Sequence, residues 1–362
     1  MNVSIIGTAG VPSKYGGFET LAENLAKFQS SSNKYTIFCS SKIYTIKKEE
    51  YLNAKLKYIN LKPNGISSII YDIIAMLQSL NTNIMLVLGI SGAIFFPIIK
   101  LLYHGIIITN IDGIEWKRSK WNVLVQFYLH LSEEMAIKYS DIIIGDNKGI
   151  IDYVKETYNK VAILIEYGAD HIQKIGCDNE LFNKKYPFNK KKYAIGIYRI
   201  EPENNIHLIL EAFARQKSIE LVIVGNWKNS KYGLSLIERY SKFSHIYLLD
   251  QIYDYKDIGF LRTRAFLNVH GHSRGGTNPS LVEAMYFGLP ILAFDCIYNR
   301  YTTENQCIYW SSAEELYNYL LQLNEKKLND IGEKMELIAD NRYRWSIIAS
   351  KYEELYQTYD NH

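Results

Sequence analysis

Four stretches of this chain set chemically capable residues where a strand-like run gives way to a loop or helix. The first is GTAGVPSKYGGFET, residues 7–20. Gly16 and Gly17 stand just before a helical pattern, so backbone N–H groups at its positive end can meet a phosphate or a closely approaching sugar. Glu19 falls in the first turn, as a dipole partner or a ligand, and Tyr15 offers a ring on which a sugar can stack. The spacing is neither G-x-G-x-x-G nor Walker A, which disfavours a dinucleotide or P-loop reading. A plain strand–helix turn is the simpler alternative.

The second stretch, NIDGIEWKR (110–118), crowds Asp112, Glu115, Lys117 and Arg118 behind an apolar run. A carboxylate there can bond a sugar hydroxyl or take its proton, and Asp112 equally suits a helix N-cap. The third, YRIEPENN (198–205), puts Arg199 at a strand end, where a guanidinium fork matches a phosphate. Its plainer use is a surface salt bridge. The fourth is HGHSRGGTNPSLVEAMYFGLP (270–290). The loop Gly275–Gly276, then Thr277 and Asn278, leads into Pro279, a residue suited to the first helical turn. That helix start again presents N–H groups to a diphosphate. Glu283, about a turn further, can accept two hydrogen bonds from a ribose diol, or it is an ordinary helix glutamate. His270 and His272 could ligate a metal, but no third ligand is in view.

These stretches need strands to carry them. VSIIG (3–7), TIFCS (36–40), IMLVLG (84–89), GIIITN (105–110), DIIIGD (141–146) and VAILIEYG (161–168) read as buried strands, with a helix near Phe18–Gln29. The polar stretch Asp178–Lys192 reads as part of an interdomain linker. The pattern restarts with YAIGIY (193–198), a helix near Ile206–Gln216, LVIVG (221–225), HIYLLD (245–250), AFLNVH (265–270) and PILAFD (290–295). Strands alternating with helices imply parallel sheets, here two facing Rossmann-like halves with an interdomain cleft lined by strand-end loops. A closing segment, Arg344–Tyr356, spaces Trp345, Ile348, Tyr352 and Leu355 as a helix does.

At 362 residues and 42.0 kDa the chain holds about two domains. Its net charge of +3 argues against nucleic acid as a partner. The first half, to residue 190, is modestly basic, which suits an anionic acceptor or a membrane surface, or reflects ordinary solvated lysines. Cys39, Cys177, Cys296 and Cys307 form no C-x-x-C pair and read as reduced thiols of a cytoplasmic protein. Ile84–Ile99 is apolar but shorter than the roughly 20 residues of a membrane span. With Gly89, Ser91, Gly92 and Pro97 inside it, it reads as a buried strand, a turn and an apolar helix. Tyrosine is abundant, 30 residues. Tyr128, Tyr139, Tyr153, Tyr158 and Tyr352 fall on expected helix surfaces.

Taken together, the four stretches resemble a known family. GGTNPSLVEAM followed by GLP is similar to the nucleotide-sugar loop of family-4 retaining glycosyltransferases of the GT-B fold. With the other three stretches it resembles a narrower branch, the bacterial rhamnosyltransferases of capsule, cell-wall and O-antigen synthesis. YRWSIIASKYEELY resembles the family's closing helix. The resemblance implies an acceptor-binding domain over 1–175, a nucleotide-sugar domain over 190–340 and a helix, 343–362, crossing back to the first. It implies that Glu283 holds the donor ribose and Arg199 its diphosphate. The family's first glutamate falls on Gly275, and the lysine paired with its arginine falls on Asn204. Thr277, Asn278 and the amides of Gly275 and Gly276 then take over donor contacts, so Arg199, Asn204, Gly275, Gly276, Thr277, Asn278 and Glu283 are the candidate donor residues. Asp112 stands where many relatives carry a histidine near the reacting carbon, so Asp112, Arg199 and Asn278 are the candidate catalytic residues. Tyr15, Gly16, Gly17, Glu19, Asp112, Glu115 and Arg118 are the candidate acceptor residues.

The implied activity is metal-independent transfer, with retention, of L-rhamnose from dTDP-L-rhamnose to a lipid-diphosphate-linked saccharide. It needs no cofactor beyond that donor, and it implies peripheral contact with the inner membrane leaflet. A GT-B sugar-nucleotide epimerase and a non-catalytic nucleotide-sugar-binding protein are the alternatives.

Overall fold

Runs of isoleucine, valine and leucine with both faces apolar can be satisfied only inside a parallel sheet covered on each side. The computed structural model, which describes residues 1–14, 16–118, 121–176 and 180–358, shows two such sheets. The chain divides into two compact units, Met1–Tyr167 with Trp345–His362, and Gly168–Arg344.

In the first unit the strands are β1 (Asn2–Ile6), β2 (Lys34–Ser40), β3 (Glu50–Tyr51), β4 (Ala54–Ile59), β5 (Ile84–Leu88), β6 (Ile106–Ile111), β7 (Ile142–Gly145) and β8 (Ile163–Leu164). Their order is β3-β4-β2-β1-β5-β6-β7-β8, parallel except for β3 against β4. Val3 sits between Tyr35 and Ile84 in register, and every residue of β5 and β7 is buried. The helices are α1 (Gly17–Lys27), α2 (Ile66–Leu77), α3 (Phe96–Leu102), α4 (Val123–Tyr139) and α5 (Lys148–Tyr158). The connections from β4 to β8 all step one way across the sheet. Right-handed crossovers therefore lay α2 to α5 on one face, and the reverse step from β1 to β2 lays α1 on the other. The apolar stretch Ile84–Ile99 forms β5, a turn at Gly89 and the start of α3, as its breakers predict. Among the described residues no helix is long and apolar enough to cross a membrane.

The second unit holds α6 (Glu180–Lys185), β9 (Tyr193–Tyr198), α7 (Ile206–Arg215), β10 (Glu220–Gly225), α8 (Lys231–Tyr240), β11 (Ile246–Asp250), α9 (Tyr255–Arg264) and β12 (Leu267–His270). It continues with α10 (Pro279–Tyr286), β13 (Ile291–Phe294), α11 (Ile297–Thr302), β14 (Ile308–Trp310), α12 (Ala313–Leu321) and α13 (Glu325–Arg342). All six strands are parallel, in the order β11-β10-β9-β12-β13-β14. A last helix, α14 (Trp345–Thr358), belongs to the first unit and packs on α1. There Glu353 accepts from Tyr35 Oη at 3.0 Å and Ser30 Oγ at 2.7 Å, and also from Asn33.

Three expectations change. Asp178 lies outside the described residues, and residues 180–192 are not simply a linker, because α6 and the turn after it pack into the second unit. Phe182 stacks on Phe260 with centroids 5.0 Å apart, and Lys185 and Tyr186 both bond the Asp257 carboxylate. Buried aromatics within a Lys- and Asn-rich run, not its mean polarity, decide the outcome. Strands β3, β4 and β14 are additions: β4 alternates lysine with apolar residues, so it lacks the continuous apolar run of its neighbours. Tyr352 is fully buried, not a surface tyrosine, and its hydroxyl accepts from Asn110 Nδ2 at 3.0 Å.

Candidate functional site

The sheet of the second unit changes direction between β9 and β12. At such a switch point the loops beyond the strand ends frame a ligand crevice. The loops there are 199–205 and 271–278, two of the four stretches that the sequence singles out. They are joined by short hydrogen bonds. Asn205 Nδ2 donates to the Gly271 carbonyl at 2.9 Å, and Ser273 donates from both N and Oγ to the Glu203 carbonyl. Gly271 permits this approach, since a Cβ there would lie 2.1 Å from the Asn204 carbonyl oxygen.

Arg199 is exposed at the end of β9. Its carbonyl is held by Asn204 Nδ2 at 2.7 Å, while Asn204 Oδ1 meets His272 Nδ1 at 2.7 Å. Asn204 is thus built into the loops and orients the Arg199 backbone. Gly275 has φ +103°, a conformation open to glycine and strained for glutamate, so the loop here runs where a side chain at that position is disfavoured. Gly276 follows, and Thr277 is buried. Asn278 is the N-cap of α10: its Oδ1 accepts from Ser280 N at 3.0 Å, ahead of Pro279 at the first helical position.

Glu283 lies one turn into α10 and is mostly buried. Its Oε2 accepts from Arg262 Nη2 at 2.6 Å, and its Oε1 faces His171 Nε2 at 3.4 Å. Arg262 is fully buried and also donates to the Ser280 carbonyl at 3.0 Å. Burial raises the Glu283 carboxyl above its ordinary range, and Arg262 pulls it back. Burial likewise lowers Arg262, opposed by Glu283. Each ion therefore depends on the other, and the carboxylate is held in one orientation. Nearby His270 is buried and pushed well below the usual histidine range, first by burial, then by His272 and Arg262. That favours a neutral ring.

In the first unit the loop after β1 is also a switch-point loop, between β1 and β5. Tyr15 lies outside the described residues. Gly16 has φ +108° and precedes α1, which begins at Gly17. A Cβ on Gly16 would lie 2.2 Å from Glu19 Oε2. Glu19 Oε1 accepts from the Ala9 N–H at 2.7 Å, so this carboxylate folds back to tie the loop. Asp112 is exposed after β6 but is no helix cap: Gly113, at φ +98°, intervenes, and a short 3-10 turn over Glu115–Lys117 starts after Ile114. Glu115 and Arg118 pair with each other at 2.9 Å. Behind this loop Trp116 Nε1 donates to the buried carboxylate of Glu133 at 3.3 Å, and Tyr153 and Tyr158 donate to the same oxygen at 2.6 and 2.7 Å.

Residues 178–334 match the model described as glycosyl transferases group 1, and residues 1–170 match one described as a domain of unknown function (DUF1972). Solved structures align along nearly the whole chain. Sucrose-phosphate synthase from Thermosynechococcus elongatus is 12% identical over 99% of this chain and 98% of that one, with TM-score 0.82. Anabaena HepE, solved in complex with UDP-glucose, is 14% identical over 99% and 100%, with TM-score 0.78. MnaA of S. aureus, solved with UDP, is 15% identical over 99% and 96%, with TM-score 0.66.

The fold is GT-B. The group 1 match supports a glycosyltransferase, and it lies within the second unit, which carries Arg199, Asn278 and Glu283. No curated protein matches the chain. Arg262, His171 and Glu133 escape a reading of the sequence. Arg262 and His171 lie 21 and 112 positions from Glu283, and Glu133 sits in the middle of a long helix, so no local spacing marks any of them.

Proposed function

We propose that this glycosyltransferase transfers L-rhamnose from dTDP-L-rhamnose, with retention and without a metal, to a lipid-diphosphate-linked saccharide. The product serves bacterial surface polysaccharide synthesis at the inner face of the cell membrane. The single observation that carries the donor half is the buried Arg262–Glu283 pair one turn into the helix behind the Gly275–Gly276 loop. In this reading the Glu283 carboxylate, oriented by Arg262, receives the ribose diol. The rhamnose and dTDP assignments rest on the motif resemblance.

In this reading Arg199 and the amides at the start of α10 stabilise the departing diphosphate. The bond from the anomeric carbon to the diphosphate oxygen breaks, and the acceptor oxygen bonds the same face. The acceptor proton passes to the departing phosphate, so no protein base is required. Asp112 and the loop 110–118 place the acceptor hydroxyl, with Gly16 and Gly17 near a charged part of the acceptor.

A thermal-shift panel of dTDP-, UDP- and GDP-sugars tests the donor: a shift selective for dTDP-rhamnose is expected. A UDP-selective shift overturns the donor while leaving the transferase. Arg199→Ala should then lower turnover by roughly 10²–10³-fold, as loss of a leaving-group stabiliser does. Unchanged turnover would remove Arg199 from the chemistry.

A further inference from the structure

The layer formed by α2, α3 and α4 has an outer face that the first unit does not use. An exposed helix face is ordinarily polar, yet Ile66 is 83% exposed, Leu101 79%, Val123 77%, Leu124 80% and Phe127 70%. Ile70, Ile98 and Leu102 extend the same surface. The three helices share one side of the sheet. Ser91, beside α3, accepts from Tyr128 of α4 at 2.6 Å, and a Cβ on Gly92 would press on Asp72 of α2.

Among the charges flanking this face bases outnumber accessible carboxylates: on α4 the half-exposed Glu134 faces His130 at 3.5 Å and Lys138 is exposed. From Leu61 to Ile111 the only carboxylate is Asp72, and it is buried; the bases are Lys62, Lys100 and His104. Asp141 beside α3 is held by Lys100 at 2.6 Å. The adjoining sheet edge carries exposed Lys42, Lys47, Lys48 and Lys55 against Glu49 and Glu50. Lys57 of β4 reaches the end of α2, at the Gln78 carbonyl, 3.2 Å away.

We infer that this face is a docking surface for an anionic lipid bilayer, with the apolar tips of α2, α3 and α4 entering the interface and the lysines of the β3–β4 edge meeting lipid phosphates. Such a combination of apolar insertion and basic flanks suits a negatively charged leaflet. The inference deepens the lipid-linked reading of the acceptor and rests on it for its biological sense.

Vesicle co-sedimentation with the full chain tests it, using phosphatidylcholine vesicles with and without phosphatidylglycerol. The chain should sediment with the anionic vesicles. The variant Val123→Ser/Leu124→Ser/Phe127→Ser should lose roughly tenfold or more in partitioning, and Lys47→Glu/Lys48→Glu/Lys55→Glu should lose the preference for anionic lipid. Both variants should melt like the parent and keep transfer to a water-soluble acceptor. The inference is overturned if the parent binds neither vesicle, if the serine variant binds as well as the parent, or if these substitutions instead split a stable dimer. Vesicle binding without transfer to any acceptor would sink the proposed activity alone, and transfer without vesicle binding would sink this inference alone.

Discussion

Arg262 and Glu283 meet at 2.6 Å with the guanidinium wholly buried, and its Nε finds no acceptor among the described residues. A buried ion of this kind is tolerable only while its partner is present. Arg262 comes from α9 and Glu283 from α10, so the pair locks two elements together as well as orienting a carboxylate.

Arg262→Met should destabilise the fold by about 3–5 kcal/mol, because it strands Glu283 in an apolar setting. Glu283→Gln in the Arg262→Met background should recover part of that loss, with a coupling of about 0.5–3 kcal/mol in urea denaturation. Arg262→Lys should fold better than Arg262→Met yet bind donor more weakly than the parent, since an ammonium cannot serve Ser280 and Glu283 as a fork. Full donor affinity in Arg262→Lys would show that the fork does not set the posture of Glu283.

Gly271→Ala tests the joint between the two loops. Its methyl group has nowhere to go beside the Asn204 carbonyl, so the loops must part. A cost of about 1–3 kcal/mol is expected, with weaker donor binding because Asn204 then releases Arg199. An alanine variant with parental stability and affinity would contradict the close approach.

Asp72 gives a pH signature. Burial lifts its carboxyl to about 8, with the Gly92 N–H pulling the other way. The folded state therefore keeps a proton that the unfolded chain releases near pH 4. The sign follows: stability contributed by the neutral acid is complete below about pH 4 and falls as pH rises toward 8, by at most about 1.4 kcal/mol per pH unit. Asp72→Asn should flatten that decline and raise stability at the alkaline end. Urea denaturation across this window checks it, and an unaltered slope in Asp72→Asn would place the pH dependence elsewhere.

How far the sequence speaks depends on whether a feature is local. The strands around β5, β6 and β9, the helix start at Pro279 and the glycine turns at Gly16 and Gly275 are all written in adjacent residues. Periodicity and turn chemistry therefore reveal them. The partners of the site residues are set by topology. Arg262 reaches Glu283 because β12 lies between α9 and α10 in the chain, and Glu353 reaches Tyr35 because α14 packs on the first unit. Polarity misleads where it is averaged: the run 180–192 holds Phe182, Tyr186 and Phe188, whose rings anchor it despite its lysines.

Glu133 is the sharpest test of the first unit's site. It is fully buried on α4, one oxygen accepts from Tyr153, Tyr158 and Trp116, and Oε2 has no partner among the described residues. Trp116 belongs to the loop that carries Asp112, Glu115 and Arg118, so the carboxylate fixes that loop from behind. Glu133→Ala takes the acceptor from the Tyr153 and Tyr158 hydroxyls, while Trp116 Nε1 keeps only Tyr153 Oη at 3.3 Å, and should cost about 2–4 kcal/mol. Glu133→Gln keeps an acceptor oxygen for the three donors but puts an amide without an acceptor where Oε2 now lies, so it should cost about 1–2 kcal/mol, less than the alanine. If the loop positions the acceptor, Glu133→Ala should raise the acceptor KM while donor affinity stays parental, and Glu133→Gln should restore most of the acceptor KM. A parallel loss of donor affinity in Glu133→Ala would mean general disruption of the fold instead, and an unchanged acceptor KM would take Trp116 and its loop out of acceptor binding.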